Sequence, residues 1–382
     1  MKYAIGIMSG TSLDGVDVAL VKIAGAAQST ETQLVDFITV DFTDEQRTKI
    51  MASFNLETSD VRQICSLNFE LGYIFAAAVK EIIVKNALSY ADIHFIGTHG
   101  QTIYHQPDAE AGLFASTLQI GEPAVIAYEL ETTVVSNFRV MDMAAGGGGA
   151  PLVPFSEWII YRSEEKSRIL QNIGGISNLT IMPKNADIDD VVAFDTGPGN
   201  MIIDEICKRL FGVNYDADGR FAAMGVVDDE MLMACLSHPY FKTSPPKTTG
   251  RELFGSHYVD ELLAHYQHLD KHDILATMTM FTAKSIVSHY EDYVLPQYEI
   301  DEVIISGGGS YNTTLVQMIS ALLHEKCRVL ISEDIGYSSA AKEAIAFVIL
   351  ANETLHQNPS NVKGATGAQH QVILGNITYP PK

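Results

Sequence analysis

Three short stretches hold most of the residues whose types and spacing could do chemistry. The first, GTSLDGVD, contains Gly10, Thr11, Ser12, Leu13, Asp14, Gly15, Val16 and Asp17 between two apolar runs. A glycine at such a turn lets backbone approach a phosphate, and the hydroxyls of Thr11 and Ser12 can donate to one. Asp14 and Asp17 would repel a phosphate directly, but one of them could hold a hydrated magnesium ion. The stretch is not a P-loop, since it lacks the GxxxxGK[ST] spacing and has no lysine. A plain hairpin turn accounts for the same glycines and acids, so both readings stay open.

The second stretch, FDTGPGNMIID, places Asp195 at the end of an apolar run, then turns through Gly197, Gly199 and Asn200 into a helix. A carboxylate at the carboxyl end of a strand is where α/β proteins keep reactive groups, although a structural cap would also be an aspartate. The third, ISGGGSYN, has Gly307, Gly308 and Gly309 in a row. Three glycines can bring backbone against a flat ligand such as an adenosine, whereas a tight packing turn needs only one or two. NIGGISNLT, with Gly174 and Gly175, is the counterpart of the first turn later in the chain. Loops of this kind at several strand ends could together surround one triphosphate. THGQT (Thr98, His99, Gln101 and Thr102) follows a strand, and its lone histidine reads as a satisfied structural residue. His265, His268 and His272 have the spacing of one solvated helix face. HExxH, GxSxG and a convincing Ser-His-Asp arrangement are missing.

The elements that must position these residues alternate. Residues 3–8, 16–23 and 34–40 are β-rich, and helical periodicity governs residues 61–88. DIHFIGTHGQT reads as a short buried strand ending in a polar loop, GEPAVIAYEL as a helix and TTVVSNF as a strand. MAAGGGGAPLVP (residues 143–154) reads either as a flexible interdomain joint or as a loop that closes on a ligand. It suggests a boundary near residues 135–150. The pattern then restarts with a strand–turn–strand in RILQNIGGISNLTIMP. A strand, loop and helix follow in DVVAFDTGPGNMIIDEICKRLF, and again in DEVIISGGGSYNTTLVQMISALL. CRVLIS and a closing helix, IGYSSAAKEAIAFVILA, complete the second half. Two halves that open alike point to a duplicated α/β architecture with two domains and a ligand cleft.

A chain of 382 residues exceeds one ordinary core, and 47% hydrophobic with 19% charged residues describes a soluble globular protein. The formal net charge of −22 disfavours nucleic acid and anionic membrane as partners. It leaves room for an anionic ligand held by backbone N–H groups and a cation. The four cysteines show no CxxC spacing, which fits a reducing compartment, and no apolar run reaches spanning length. The reading is cytoplasmic.

GIMSGTSLDGVDVAL, GTHGQTIYH, NFRVMDMAAGGGGAPLVP, NIGGISNLT, FDTGPGN, PPKTTGRELF and SGGGSYN, in this order, resemble the anhydro-N-acetylmuramic acid kinase family from Tyr3 to about Ala351. That family often carries a glutamine in the glycine run, where this chain has Gly148. The resemblance implies two duplicated RNase H-like α/β domains of the actin/hexokinase/Hsp70 fold with an interdomain cleft. The N-terminal domain, 1–138, would hold the ATP phosphate loop and part of the sugar site. The C-terminal domain, 139–382, would hold the catalytic aspartate and the adenosine-side loop.

The implied reaction uses ATP and Mg2+ to phosphorylate O6 of 1,6-anhydro-N-acetylmuramic acid while water opens the anhydro bond. The product would be N-acetylmuramic acid 6-phosphate, in cell-wall (peptidoglycan) recycling. The resemblance implies Asp195 as the catalytic residue. It implies residues 10–17, Gly174, Gly175, Gly197, Gly199, Asn200 and Gly307–309 for ATP. Arg139, Glu333 and Thr98, His99, Gln101 and Thr102 would serve the sugar. The partner would be this small molecule, with no nucleic acid and no membrane; the metal ligands and a homodimer are left open. A same-fold kinase acting on a sugar with a free hydroxyl, or on a carboxylic acid, is the second reading. A nucleotide-driven clamp would need long insertions that this chain lacks.

Overall fold

The computed structural model describes residues 1–382 except 11, 12, 14, 111, 246, 248 and 325 and the side chains of 251 and 252. It divides into two compact units, Met1–Ile160 with Ala341–Lys382, and Tyr161–Ala340.

In the first unit, β1 (Lys2–Ser9), β2 (Gly15–Ala24) and β3 (Glu31–Asp41) form an antiparallel meander with Met8 opposite Asp17. β4 (Ile93–Gln106) lies parallel to β1, and β5 (Ser116–Ile120) folds back on it. β6 (Val134–Ser136) lies parallel to β4 and pairs with the C-terminal strand Asn376–Thr378. The path across the sheet is β3-β2-β1-β4-β6. Side chains alternate along a strand, so Ile5 and Ile7 face one layer and Gly6 the other. The isoleucines join the core formed with Leu71, Phe75, Val79 and Ile82 of the helix Val61–Lys85. That helix starts where Asp60 accepts a hydrogen bond from Gln63 N.

Opposite, the helix Lys342–Leu355 sits directly on backbone. A Cβ at Gly6 would lie 1.8 Å from Ala344 O, and one at Gly97 2.1 Å from Phe347 O. Only glycine permits that approach.

In the second unit, β7 (Arg168–Ile173), β8 (Ile176–Met182) and β9 (Val192–Pro198) again form an antiparallel meander. β10 (Glu302–Ser306) lies parallel to β7, and β11 (Arg328–Ile331) parallel to β10. The path is β9-β8-β7-β10-β11, the order of the first sheet once β5, which folds back on β4, and the C-terminal strand are set aside. Helices Lys271–His289 and Thr313–Leu323 bury Ile286, Leu315 and Ile319 against it.

Several sequence expectations are corrected. The chain changes unit after Ile160 and again after Ala340, not once at 138/139. The helix Lys342–Leu355 therefore returns to the first unit, because it is the layer that Gly6 and Gly97 admit. The glycine run is no free joint. Buried Asp142 accepts hydrogen bonds from Gly149 N, Asn361 Nδ2 and Thr366 Oγ1, all at 2.8 Å, and Gly148 N donates to Thr366 O. A Cβ at Gly147 would lie 2.3 Å from Asp142 Oδ2, so that glycine serves packing. THGQT does not end a strand; β4 runs straight through it. His265, His268 and His272 do not share a helix face. One helix ends at His265, and Asp270 caps the next by accepting from His272 N.

Candidate active site

In the first unit, the β1–β2 hairpin is held from beneath. Ser9 Oγ donates to Gln101 Oε1 at 2.6 Å, and Gln101 Nε2 donates to Gly10 O at 3.3 Å. Leu13 takes a left-handed φ of 59°, and Arg47 Nε donates to its carbonyl at 3.1 Å. Thr11, Ser12 and Asp14 lie outside the described residues. Val16 is buried. Gly15 is required by close approach, since a Cβ there would lie 2.5 Å from Val40 O. Asp17, half-buried, accepts from Thr39 Oγ1 at 2.6 Å.

The neighbouring β4 residues are framework. Gln101 is fully buried, its amide donating to Thr102 O as well as Gly10 O. Thr98 Oγ1 accepts from Gly100 N, and Thr102 Oγ1 accepts from Gln119 Nε2. His99, also buried, uses both ring nitrogens. Nδ1 donates to Gly100 O at 2.7 Å, and Nε2 accepts from Arg139 Nε and Nη2 at 3.0 and 2.8 Å. Burial first, then the Arg139 charge, push His99 down to about 3, so it is the neutral acceptor that the geometry requires. Arg139 Nη1 donates to Gly149 O at 2.7 Å. The guanidinium is thus oriented between β4 and the glycine run.

Glu343, in the first turn of the helix Lys342–Leu355, was not singled out from sequence. Solvent reaches it, yet desolvation by the surrounding protein raises its pKa. Lys342 and Arg139 oppose that shift and Asp17 adds to it. The apolar-run context of Glu343 (KEAIAFVILA) gave no sequence signal.

In the second unit, Asp195 sits on β9, the edge strand, beside a register shift between Ser177 and Asn178. Its N–H donates to Lys247 O at 3.2 Å, and its carbonyl accepts from Tyr240 Oη at 2.8 Å. Oδ2 accepts from Thr249 N at 3.0 Å. Burial raises the carboxyl above its ordinary value, and the Thr249 bond opposes this. A half-buried carboxylate with raised pKa and an unengaged second oxygen among the described residues has the character of a general base.

Around it the glycines divide by role. Gly199 N donates to Gly175 O, and Asn200 N to Gly174 O at 2.7 Å. Those two donors are therefore engaged within the protein. Cβ atoms at Gly197, Gly199, Gly307 and Gly309 would strike Ser285, Gly174, Asn172 and Ile173, so these glycines serve packing. Gly174, Gly175 and Gly308 meet nothing closer than 3.5 Å and remain open to a ligand. Gly308 and Asn200 also line a cavity of ≈ 630 Å³ with Ile203, Asp204, Tyr215 and Tyr311. Asp204 is lifted to about 6 by burial, against the pull of Lys208. Glu333 accepts from Tyr311 Oη, Ser339 N and Ser339 Oγ at 2.9–3.2 Å, ordering the segment that follows β11 and tying it to the turn after β10. It belongs to a different unit from Arg139. Among the described residues no cluster of three or more His, Cys, Asp or Glu could hold a metal, and no helix is long and apolar enough to cross a membrane.

Two sheets with one strand order, each an antiparallel meander followed by parallel strands, define the duplicated RNase H-like fold of the actin/hexokinase class. The sequence profile of the anhydro-N-acetylmuramic acid kinase family matches residues 2–380, and the chain belongs to that family. A protein of Bacillus cereus (strain G9842) named anhydro-N-acetylmuramic acid kinase is 59% identical over 380 residues, 99% of this chain and 100% of that one. A second, from Bacillus cereus (strain ATCC 14579), is 60% identical over 99% of this chain and 97% of its own length. Among solved structures, component A of the Acidaminococcus fermentans (R)-2-hydroxyglutaryl-CoA dehydratase aligns at a TM-score of 0.47. It shares 12% identity, covering 92% of this chain and 99% of that one, and adds nothing to the strand-order argument.

Proposed function

We propose that this chain is the kinase its relatives are named for. It would take the γ-phosphoryl group of ATP to O6 of 1,6-anhydro-N-acetylmuramic acid while water opens the 1,6-anhydro bond. O6 of that sugar is tied in an acetal, so no free hydroxyl exists to attack phosphorus. A base must first activate water. Asp195 takes a proton from water as its oxygen bonds to C1, the C1–O6 bond breaks, and O6 then attacks the γ-phosphorus as the bond to ADP breaks. The products are N-acetylmuramic acid 6-phosphate and ADP, a reaction suited to recycling cell-wall sugars. The observation that carries the reading is the half-buried Asp195 carboxylate, raised in pKa, with one oxygen oriented by Thr249 N and the other open.

Arg139 suits the lactyl carboxylate of the sugar, since its guanidinium is already oriented by His99 and Gly149. In the first unit the turn at residues 10–17 serves the phosphates. In the second, the open glycines 174, 175 and 308 and the cavity beside Asn200 suit the nucleotide. Magnesium would enter on the phosphates, and Asp17, whose carboxylate accepts from Thr39 Oγ1, would hold one of its waters. When bound, the ion would neutralise charge on the phosphates.

The test is a coupled ADP-release assay with the anhydro sugar as sole acceptor. ADP formation matched by N-acetylmuramic acid 6-phosphate supports the reading. ADP formation with glucose or N-acetylglucosamine, and none with the anhydro sugar, would transfer the chain to the free-hydroxyl kinases.

A further inference from the structure

Lys247 and Thr249 both hydrogen-bond Asp195, and the catalytic scheme uses neither. As the edge strand, β9 has backbone groups that no sixth strand satisfies, and this stretch takes that place. Lys247 O accepts from Asp195 N, and Thr249 N donates to Asp195 Oδ2. What fixes the stretch is the Lys247 side chain. It is only 8% exposed, its Nζ donates to Tyr240 O at 3.0 Å, and it lies 4.3 Å from the centre of the Tyr240 ring and 5.8 Å from that of Tyr293. Tyr240 in turn donates its hydroxyl to Asp195 O, closing a circuit from Lys247 through Tyr240 to Asp195 and back through Thr249.

Among the described residues Lys247 makes no ion pair. Burial accordingly lowers its pKa to about 8, with Asp292 opposing from a distance. A buried ammonium satisfied by one carbonyl and two ring faces is a costly way to fill space, and a methionine would pack there without that cost. Its retention makes sense if the charge does a job that packing cannot.

We propose that Lys247 is a positioning residue for Asp195: seated on Tyr240, its ammonium holds Thr249 N against one carboxylate oxygen and leaves the other aimed at the attacking water. This rests on Asp195 being the base. Without the ammonium the stretch loosens, the Thr249 hydrogen bond lengthens, and the carboxylate both rotates and loses a donor that favours its charged form.

The experiment compares wild type, K247M and D195N in steady-state assays with ATP and the anhydro sugar from pH 5 to 9. In K247M, kcat is expected to fall roughly 10- to 100-fold, as misplaced catalytic groups do. KM for ATP should stay within about twofold, and the acid limb of kcat/KM should move to higher pH. A residue that only supports the fold would lower stability without moving that limb. If K247M does not fold, K247Q, which also removes the charge, is read by the same criteria. A folded charge-removing variant with wild-type kcat and acid limb overturns the proposal, as does a rise in KM for ATP with kcat unchanged. D195N separates the two levels: an active D195N removes the base assignment itself, whereas an inactive D195N beside a wild-type-like K247M removes only the role given to Lys247.

Discussion

His99 makes a titration prediction whose size follows from its surroundings. The ring is 4% exposed and accepts two hydrogen bonds from Arg139, so protonation would place a second cation against the guanidinium and abolish the acceptor. Its pKa falls from 6.5 to about 3, through burial and then Arg139. The folded state therefore binds a proton more weakly than the unfolded chain. The resulting stability is fully present above pH 6.5 and is lost as pH falls toward 3. Between pH 7 and pH 4.5 the loss from this one group is about 2.5 kcal/mol. His99→Gln offers Arg139 an amide oxygen in place of the imidazole and cannot titrate. Urea unfolding of both proteins, at pH 7 and pH 4.5, isolates the share of His99 because all other groups cancel in the comparison. The variant should lose about 2.5 kcal/mol less than wild type on acidification. Equal losses in the two proteins would refute the neutral-acceptor assignment, and with it the account of how Arg139 is oriented.

Other outcomes follow from the site and the fold. Asp195→Asn should lower kcat by roughly 10²- to 10⁴-fold with KM for ATP little changed, and near-normal turnover would remove the base from the mechanism. Because burial raises the Asp195 pKa, the wild-type kcat/KM should fall on acidification at a pH above the ordinary carboxyl value of 3.8. Arg139→Ala should raise KM for the sugar by about 10- to 100-fold, the worth of a charged hydrogen bond, and an unchanged KM would take it out of the sugar site. Gly97→Ala should destabilise the first unit by about 1–3 kcal/mol, since the new Cβ would meet Phe347 O at 2.1 Å. A variant melting at the wild-type Tm would show that the helix Lys342–Leu355 can move away at no cost.

Much of the architecture was legible because it rests on local pattern. Period-2 and period-3.6 hydrophobicity marked β1, β2, β7, β8 and the helix Val61–Lys85, and the glycine turns marked where strands end. Asp195 stood out for the same reason, as an acid at the end of an apolar run, and its role as the base is the proposal made above. The errors share one cause, which is that a residue type does not say what it packs against. Four glycines in a row read either as a joint or as a loop that closes on a ligand, yet Gly147 is there to clear Asp142, and the run is pinned to Thr366 more than two hundred residues away. THGQT read as a polar loop, although β4 continues through it with Gln101 and His99 turned inward.

The sequence by itself determined the fold class, the family and the residue types the chemistry needs, since these depend on periodicity and on motifs contiguous in the chain. Tertiary structure alone decided which polar groups are engaged and which are open. It made His99 the support of Arg139, tied Gly199 N and Asn200 N to carbonyls, and brought Lys247, Thr249 and Tyr240 around Asp195 from roughly fifty residues downstream. It also returned the helix Lys342–Leu355 to the first unit, with Glu343 in its first turn. The physical reason is that desolvation and hydrogen-bond satisfaction are set by neighbours in space. Side chains that are alike in sequence become framework or reagent according to whether the fold has already given their polar atoms a partner.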